Sequence, residues 1–360
     1  MKKTFLFTLS VVLCAVFLSA CGAPGGGTSS SQPEPAVSVM APVSEPDPEP
    51  VFTNPLTGIE TATDLSARRP VAVMLNNLKK ALPQLGVSQA DLIYEAPAEG
   101  GITRMMAVFQ SLDGVGDLGS VRSARPYYVE MAAGLDAIYI HAGGSDGAYS
   151  SIKSLSVSNI DGVNGPYGGT MFWRDAARKQ NAGFEHSLLT SAERIQKLLS
   201  GSLAQMRQTH PEGYSLPLTF TKDGTPAGGA PANTVTVRWS NYKTGVFRYE
   251  HDSRTYLVEE YNAPYVDGNT GTQVSVTNVL FLHTGVTNIP GDTAGRKNIP
   301  LTGEGSGYFV CGGKYIPIRW EKASPSAPFC YFTADGQPLS LGVGKSYINI
   351  VDPSYPITFE

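Results

Sequence analysis

Residues 119–147 read GSVRSARPYYVEMAAGLDAIYIHAGGSDG, and the fold class follows from how that stretch divides. Pro126 suits the first helical position, where its missing N–H would have had no intrahelical partner, and Gly134 suits the end of the same helix. Asp136–His141 is then an apolar run of strand length. Gly143 and Gly144 turn the chain, and residues 148–155 give a second short helix. Helices and strands alternate here, so this half is α/β or α+β.

The pattern extends in both directions. Val71–Leu75 (VAVML) is a continuous apolar run between Pro70 and Asn76-Asn77, as a strand buried on both faces would be. Residues 89–96 and 105–112 give two more strands. A helix is predicted around 173–178. Another follows Thr190-Ser191-Ala192-Glu193, a capping box, and carries Ile195, Leu198, Leu199, Leu203 and Met206 at helical spacing. Beyond His210-Pro211 short strands dominate, with most breaks marked by Gly, Pro, Asn or Asp. The expected architecture is α/β (α+β): a layered mixed sheet with helices in the N-terminal half, and a β-rich C-terminal half. Residues 52–212 and 213–360 form either two domains or one composite fold.

The N-terminus speaks to compartment. Lys2 and Lys3 precede the apolar run Phe5–Phe17, which is too short to span a bilayer. Leu18-Ser19-Ala20-Cys21 resembles the lipobox of bacterial lipoproteins, which implies cleavage before Cys21 and a lipid on that cysteine. Residues 1–20 are expected to be the signal peptide and 21–51 a disordered tether. Seven Pro, four Gly and five Ser make up more than half of residues 22–50. The reach of such a tether is roughly 30 Å. The chain carries a formal charge of −4, and −6 once Lys2 and Lys3 leave with the signal peptide, which argues against a nucleic-acid partner. Cys311 and Cys330 remain, either as a disulfide between neighbouring strands or as two free thiols. The five histidines are too scattered for a zinc motif, so no metal is expected. Gly114–Gly119 matches a dinucleotide fingerprint in letters only, because Pro126 and arginines stand where its long helix should run. No cofactor is expected.

Five segments occur together in order: Arg69–Met74 (RPVAVM), Gln89–Glu95 (QADLIYE), Glu99–Arg104 (EGGITR), Val121–Tyr127 (VRSARPY) and His141–Ser145 (HAGGS). Phe172-Trp173-Arg174-Asp175, His186 and Gly344–Tyr347 are weaker echoes. Over roughly residues 54–352 the chain thereby resembles the uncharacterised bacterial lipoproteins typified by Bacillus YerB. Where that family has a Pro-His-Asn core, Glu185-His186-Ser187 stands here. The resemblance implies a membrane-anchored extracytoplasmic protein of layered α/β architecture. It implies no particular activity.

The chemistry must therefore come from the residues. Arg122 and Arg125 flank a helix start, which is already an anion site. With Arg104 and Arg174 they could clamp a carboxylate or phosphate, and Ser145 in its glycine loop could add a donor. The competing reading pairs these arginines with Glu95, Glu99 or Asp175 as structural ion pairs. His141 ends a strand before two glycines, a position for a general acid or base. Gly143-Gly144-Ser145-Asp146-Gly147 fits the nucleophile-elbow pattern, with His186 in range as a triad member. Glu99 is a candidate carboxylate. Three functions follow. The first is a lipoprotein on the outer face of the cytoplasmic membrane, held by the lipid on Cys21, that binds an anionic cell-wall ligand or an envelope protein. The alternatives are an envelope hydrolase using His141 with Ser145 or Glu99, and a non-catalytic scaffold.

Overall fold

Every residue of the strand β1 (Val71–Asn77) is buried, and its side chains go alternately to two different cores. Val71, Val73 and Leu75 enter one, Ala72 and Met74 the other. This is the period-2 geometry of a strand with both sheet faces covered, and it explains why VAVML shows no polar alternation. The computed structural model describes residues 51–360. The expected signal peptide, the expected lipidation site Cys21 and the expected tether up to residue 50 lie outside the described residues.

The main elements follow in order. The N-terminal half contributes β2 (Leu92–Pro97), β3 (Thr103–Phe109), β4 (Asp117–Gly119), α1 (Pro126–Gly134), β5 (Ile138–His141), α2 (Asp146–Ser154), β6 (Asn159–Asp161), β7 (Trp173–Arg174), α3 (Ala176–Asn181), β8 (Leu188–Ser191) and α4 (Ala192–Ser200). The second half contributes β9 (Thr234–Arg238), β10 (Thr244–Glu250), β11 (Thr255–Glu260), β12 (Asn278–His283), β13 (Gly303–Cys311), β14 (Lys314–Lys322), β15 (Cys330–Thr333), β16 (Ser346–Val351) and β17 (Ile357–Phe359).

One sheet of 11 strands runs through both halves, in the order Ala230–Pro231, β14, β13, β12, β16, β2, β3, β1, β5, β6, with β15 added on β14. Its pairs are mixed: β12, β16 and β2 run parallel, β3 opposes β2 and β1, and β1, β5 and β6 run parallel. A six-stranded antiparallel sheet containing β11, β10, β9 and β17 supplies Val235, Val237, Phe247, Tyr256 and Val258 to one core, together with Ile195, Leu198 and Leu199 of α4. Tyr127, Tyr128 and Met131 of α1, and Ala148 and Ile152 of α2, cover the other face. The layered mixed sheet expected from the sequence is thus present, with its helices in the N-terminal half.

Several local expectations shift. Ser191 caps α4, accepting the Arg194 N–H at 3.2 Å, but the helix stops at Ser200, so Leu203 and Met206 pack from turns beyond it. Trp173 and Arg174 are a strand pair, and the predicted helix starts only after Asp175, which caps it. The disulfide alternative is corrected: Cys311 and Cys330 are both free. Cys311 pairs with Lys314 at the turn of the β13–β14 hairpin, whereas Cys330 pairs with Glu321. Lys314 and Glu321 are about 23 Å apart along the strand, far beyond disulfide reach.

Candidate functional site

The carboxyl ends of β1, β2, β5 and β6 lie at one end of the large sheet, with the start of the opposing β3 between them. Ligands of open α/β sheets bind at such ends. Arg104 is the second residue of β3 and Arg125 is the residue before α1, held extended by the proline that follows it. Both guanidinium groups meet one carboxylate, that of Glu99. Arg104 Nη2 donates to Glu99 Oε2 at 2.9 Å, and Arg125 Nε donates to Oε1 at 2.5 Å. Each arginine also has a carbonyl of its own: Arg104 Nη1 donates to Ser123 O at 2.9 Å, and Arg125 Nη1 to Ala124 O at 2.7 Å.

The two arginines are 4% and 7% exposed. Burial, then the charge of Arg125, pushes the Arg104 guanidinium down to about 10, even with Glu99 beside it. Burial would raise the Glu99 carboxyl, but Arg104 and Arg125 outweigh it and hold it below its usual value. Arg104 also feels Arg122. Arg122 reaches Glu185, donating to its backbone carbonyl at 2.9 Å and lying 3.4 Å from the exposed carboxylate. Arg174 lies 3.6 Å over the exposed Phe184 ring and donates to Phe184 O at 2.6 Å. Burial and then Arg122 depress its guanidinium as well.

His186 belongs to the same cluster. Asn76 Oδ1 accepts the Leu78 N–H at 3.0 Å, which turns its amide nitrogen toward His186 Nδ1, 2.6 Å away. Nδ1 is thereby an acceptor and Nε2 carries the proton. Burial, Arg122 and Lys80 all lower the pKa of this imidazole. The structure therefore gathers Arg104, Arg122, Arg125, Arg174, Glu99 and His186 around one end of the sheet.

His141 and Ser145 are placed differently. His141 is wholly buried, with Nδ1 at 2.9 Å from Gly143 O and Nε2 at 3.1 Å from Asn159 Oδ1, and its ring stacks on Tyr139. Neither nitrogen is left for Ser145, whose hydroxyl caps α2 by accepting the Ala148 N–H at 3.2 Å. Asp161 is used up as a loop clasp, accepting the Gly143 and Val163 N–H groups and the Tyr149 hydroxyl. Ser145→Ala is expected to lower stability by about 1 kcal/mol, whereas Ser145→Asp, a substitute cap, retains it; urea denaturation of the pair checks this.

A second ionisable cluster went unread in the sequence. Lys243 in the β9–β10 turn is wholly buried, with Nζ 2.5 Å from Glu260 Oε2 and 3.5 Å from Glu95 Oε1. Asn77 Nδ2 donates to Glu95 at 2.8 Å and to Glu260 at 3.0 Å, and the Tyr347 hydroxyl donates to Glu95 at 2.5 Å. Glu95 belongs to the large sheet and Glu260 to the six-stranded one, so the cluster ties the two together. The period-2 pattern did carry a signal: Tyr256, Val258 and Glu260 share the buried face of β11. Glu95 and Glu99 consequently serve separate clusters, and only Glu99 meets the arginines. A pocket of about 330 Å³ is lined by Leu78, Lys79, Gly100, Ile102, Tyr242 and Tyr261, and the Tyr261 ring also lies 4.7 Å from Lys243 Nζ. A larger groove of about 920 Å³ lies elsewhere, between residues 166–171 and α4. Its Arg194 is already bonded to Thr170 O and stacked on Trp173, so the convergent arginines make the better candidate site.

Comparison with known proteins agrees with this architecture. Residues 56–205 match the family described as "Protein of unknown function (DUF3048) N-terminal domain", and residues 235–348 match its C-terminal domain. The chain belongs to this family. It is similar to the Bacillus subtilis (strain 168) protein described as "Putative lipoprotein YerB", with 33% identity over 310 residues, 85% of this chain and 88% of the relative. A crystal structure of YerB protein from Bacillus subtilis superposes with a TM-score of 0.72 at 31% identity, covering 85% of this chain and 99% of that one.

Proposed function

We propose that the protein is a membrane-anchored envelope lipoprotein whose arginine-rich sheet end binds an anionic ligand of the cell envelope, with Cys21 as the lipid-bearing residue and residues 21–51 as the tether. The observation that carries this reading is the convergence of two buried arginines on a single carboxylate, with Arg122 within electrostatic reach. A structural ion pair needs one cation per carboxylate. Here the balance is positive, Arg174 extends it, and the Nε2–H of neutral His186 adds an uncharged donor. The name of the relative supports the anchoring, and the position at the strand carboxyl ends supports the binding role.

The test uses Arg122 and Arg174, which are less buried than Arg104 and Arg125, so their loss should leave the fold intact. Arg122→Gln with Arg174→Gln in the full-length protein, held in detergent, should weaken retention on purified cell-wall material about tenfold, the effect of losing roughly 1.5 kcal/mol of charge-assisted contacts. Retention by the wild type should fall steeply with added salt. Wild-type retention in the double variant would place the ligand elsewhere.

A further inference from the structure

Glu99 does not behave as an ordinary partner of Arg104 and Arg125. Each guanidinium is oriented by a carbonyl of the 123–124 segment, Ser123 O for Arg104 and Ala124 O for Arg125. Those bonds do not involve Glu99, so both forks keep their aim without it. Arg104 Nε, moreover, is a fully buried donor with no partner among the described residues. The arginines thus have more donors than Glu99 can satisfy, and two positive charges against one negative charge.

Glu99 itself is carried by a segment with room to move. It is followed by Gly100 at φ 66° and Gly101 at φ 76°, left-handed values that glycine adopts without strain. A Cβ placed on Gly100 would meet nothing within 4 Å. The turn is closed by the Ala98 N–H on Ile102 O at 2.8 Å, and Gly101 O is held by the Ser240 hydroxyl at 2.6 Å, so the turn's far side is fixed and Gly100, beside Glu99, is the residue with room to rotate.

We infer that Glu99 is a built-in stand-in for the ligand: its carboxylate fills a two-arginine oxyanion site and is displaced when the acidic group of the true ligand, a carboxylate or a phosphate, binds between the Arg104 and Arg125 forks. This rests on the anion-binding reading above and adds how the site is kept occupied until its ligand arrives. An intramolecular carboxylate satisfies part of the buried guanidinium groups in the free protein and sets a threshold that weak surface anions do not pass. A dianionic phosphate would neutralise both arginines, whereas Glu99 neutralises one.

The experiment is calorimetric titration of the full-length protein with inorganic phosphate, and separately with acetate, at matched ionic strength. Glu99→Gln removes the competing charge and should bind the preferred anion at least tenfold more tightly than wild type. Which of the two gains more distinguishes phosphate from carboxylate as the ligand's acidic group. Glu99→Asp, which keeps the charge but shortens the reach, should fall between them. If Glu99→Gln is too unstable to titrate, phosphate should raise its melting temperature more than chloride does at equal ionic strength. Should the variant bind neither anion more tightly than wild type and gain no anion-specific stabilisation, displacement is overturned. In that case unchanged loss of wall retention in the Arg122/Arg174 variant would leave the binding site itself standing. Loss of neither would overturn both.

Discussion

Lys243→Met is expected to lower the free energy of unfolding by about 3–5 kcal/mol, the cost of leaving buried charge without its partner. Among the described residues, Lys243 is the sole cation in contact with two carboxylates that are 1% and 2% exposed, and its ammonium also lies 4.7 Å from the centre of the Tyr261 ring. Without it, Glu95 and Glu260 face each other through Asn77 and Tyr347, with only the Thr103 hydroxyl donating to Glu95 besides. Adding Glu260→Gln removes one of the two charges, so the double variant should regain most of the loss. The pH dependence follows from the same cluster. Burial raises the Glu260 carboxyl to about 7, Lys243 working against the rise and Glu95 adding to it. Its unfolded value is near 4.5. Between those values the native chain holds a proton that the unfolded chain has released, so this contribution is full below about 4.5 and fades as pH climbs through 7. Urea midpoints should therefore be higher at pH 5 than at pH 7.5 in the wild type, and the difference should shrink in Glu260→Gln. Equal midpoints in Lys243→Met and wild type would rule out a working cross-sheet tie.

The contrast between the two clusters shows what a sequence can disclose. Arg104, Arg122 and Arg125 were legible because local signals mark their places. One stands second in the strand that follows Gly-Gly, and the others precede a proline that starts a helix. Val71–Leu75 was legible because complete burial removes polar alternation. Lys243 was not, since Asn241-Tyr242-Lys243 reads as an exposed turn. Its burial arises only when the six-stranded sheet closes over the large one, a contact between segments far apart in sequence. Cys311 and Cys330 failed for a related reason. They lie on the two strands that flank β14 rather than on paired strands, and the register along β14, set by the hairpin turn at Lys314, places them at opposite ends of it. His141 looked catalytic because it ends a strand before glycines. The same glycine loop folds back to supply the Gly143 carbonyl that engages its ring.

Arg104→Met is expected to abolish oxyanion binding while leaving stability unchanged or raising it by as much as about 3 kcal/mol. An ordinary structural arginine would do the reverse. The reason lies in what surrounds its charge. A guanidinium that falls from 12.5 to about 10 is one whose charged form is held at a net cost of about 3 kcal/mol, burial and Arg125 together exceeding the help from Glu99. Methionine has similar volume and no charge to desolvate, and it leaves Glu99 paired with Arg125 as a neutral couple. The hydrogen bond to Ser123 O is lost, but Ser123 is only half-buried and water can replace it. Keeping a destabilised cation in place is the trade a binding site makes, because the ligand's negative charge relieves the cost only when bound. Thermal and urea denaturation, set beside phosphate titration of the same variant, separates the two outcomes. A loss of more than about 2 kcal/mol with anion binding intact would make Arg104 a structural residue and move the site toward Arg122 and Arg174.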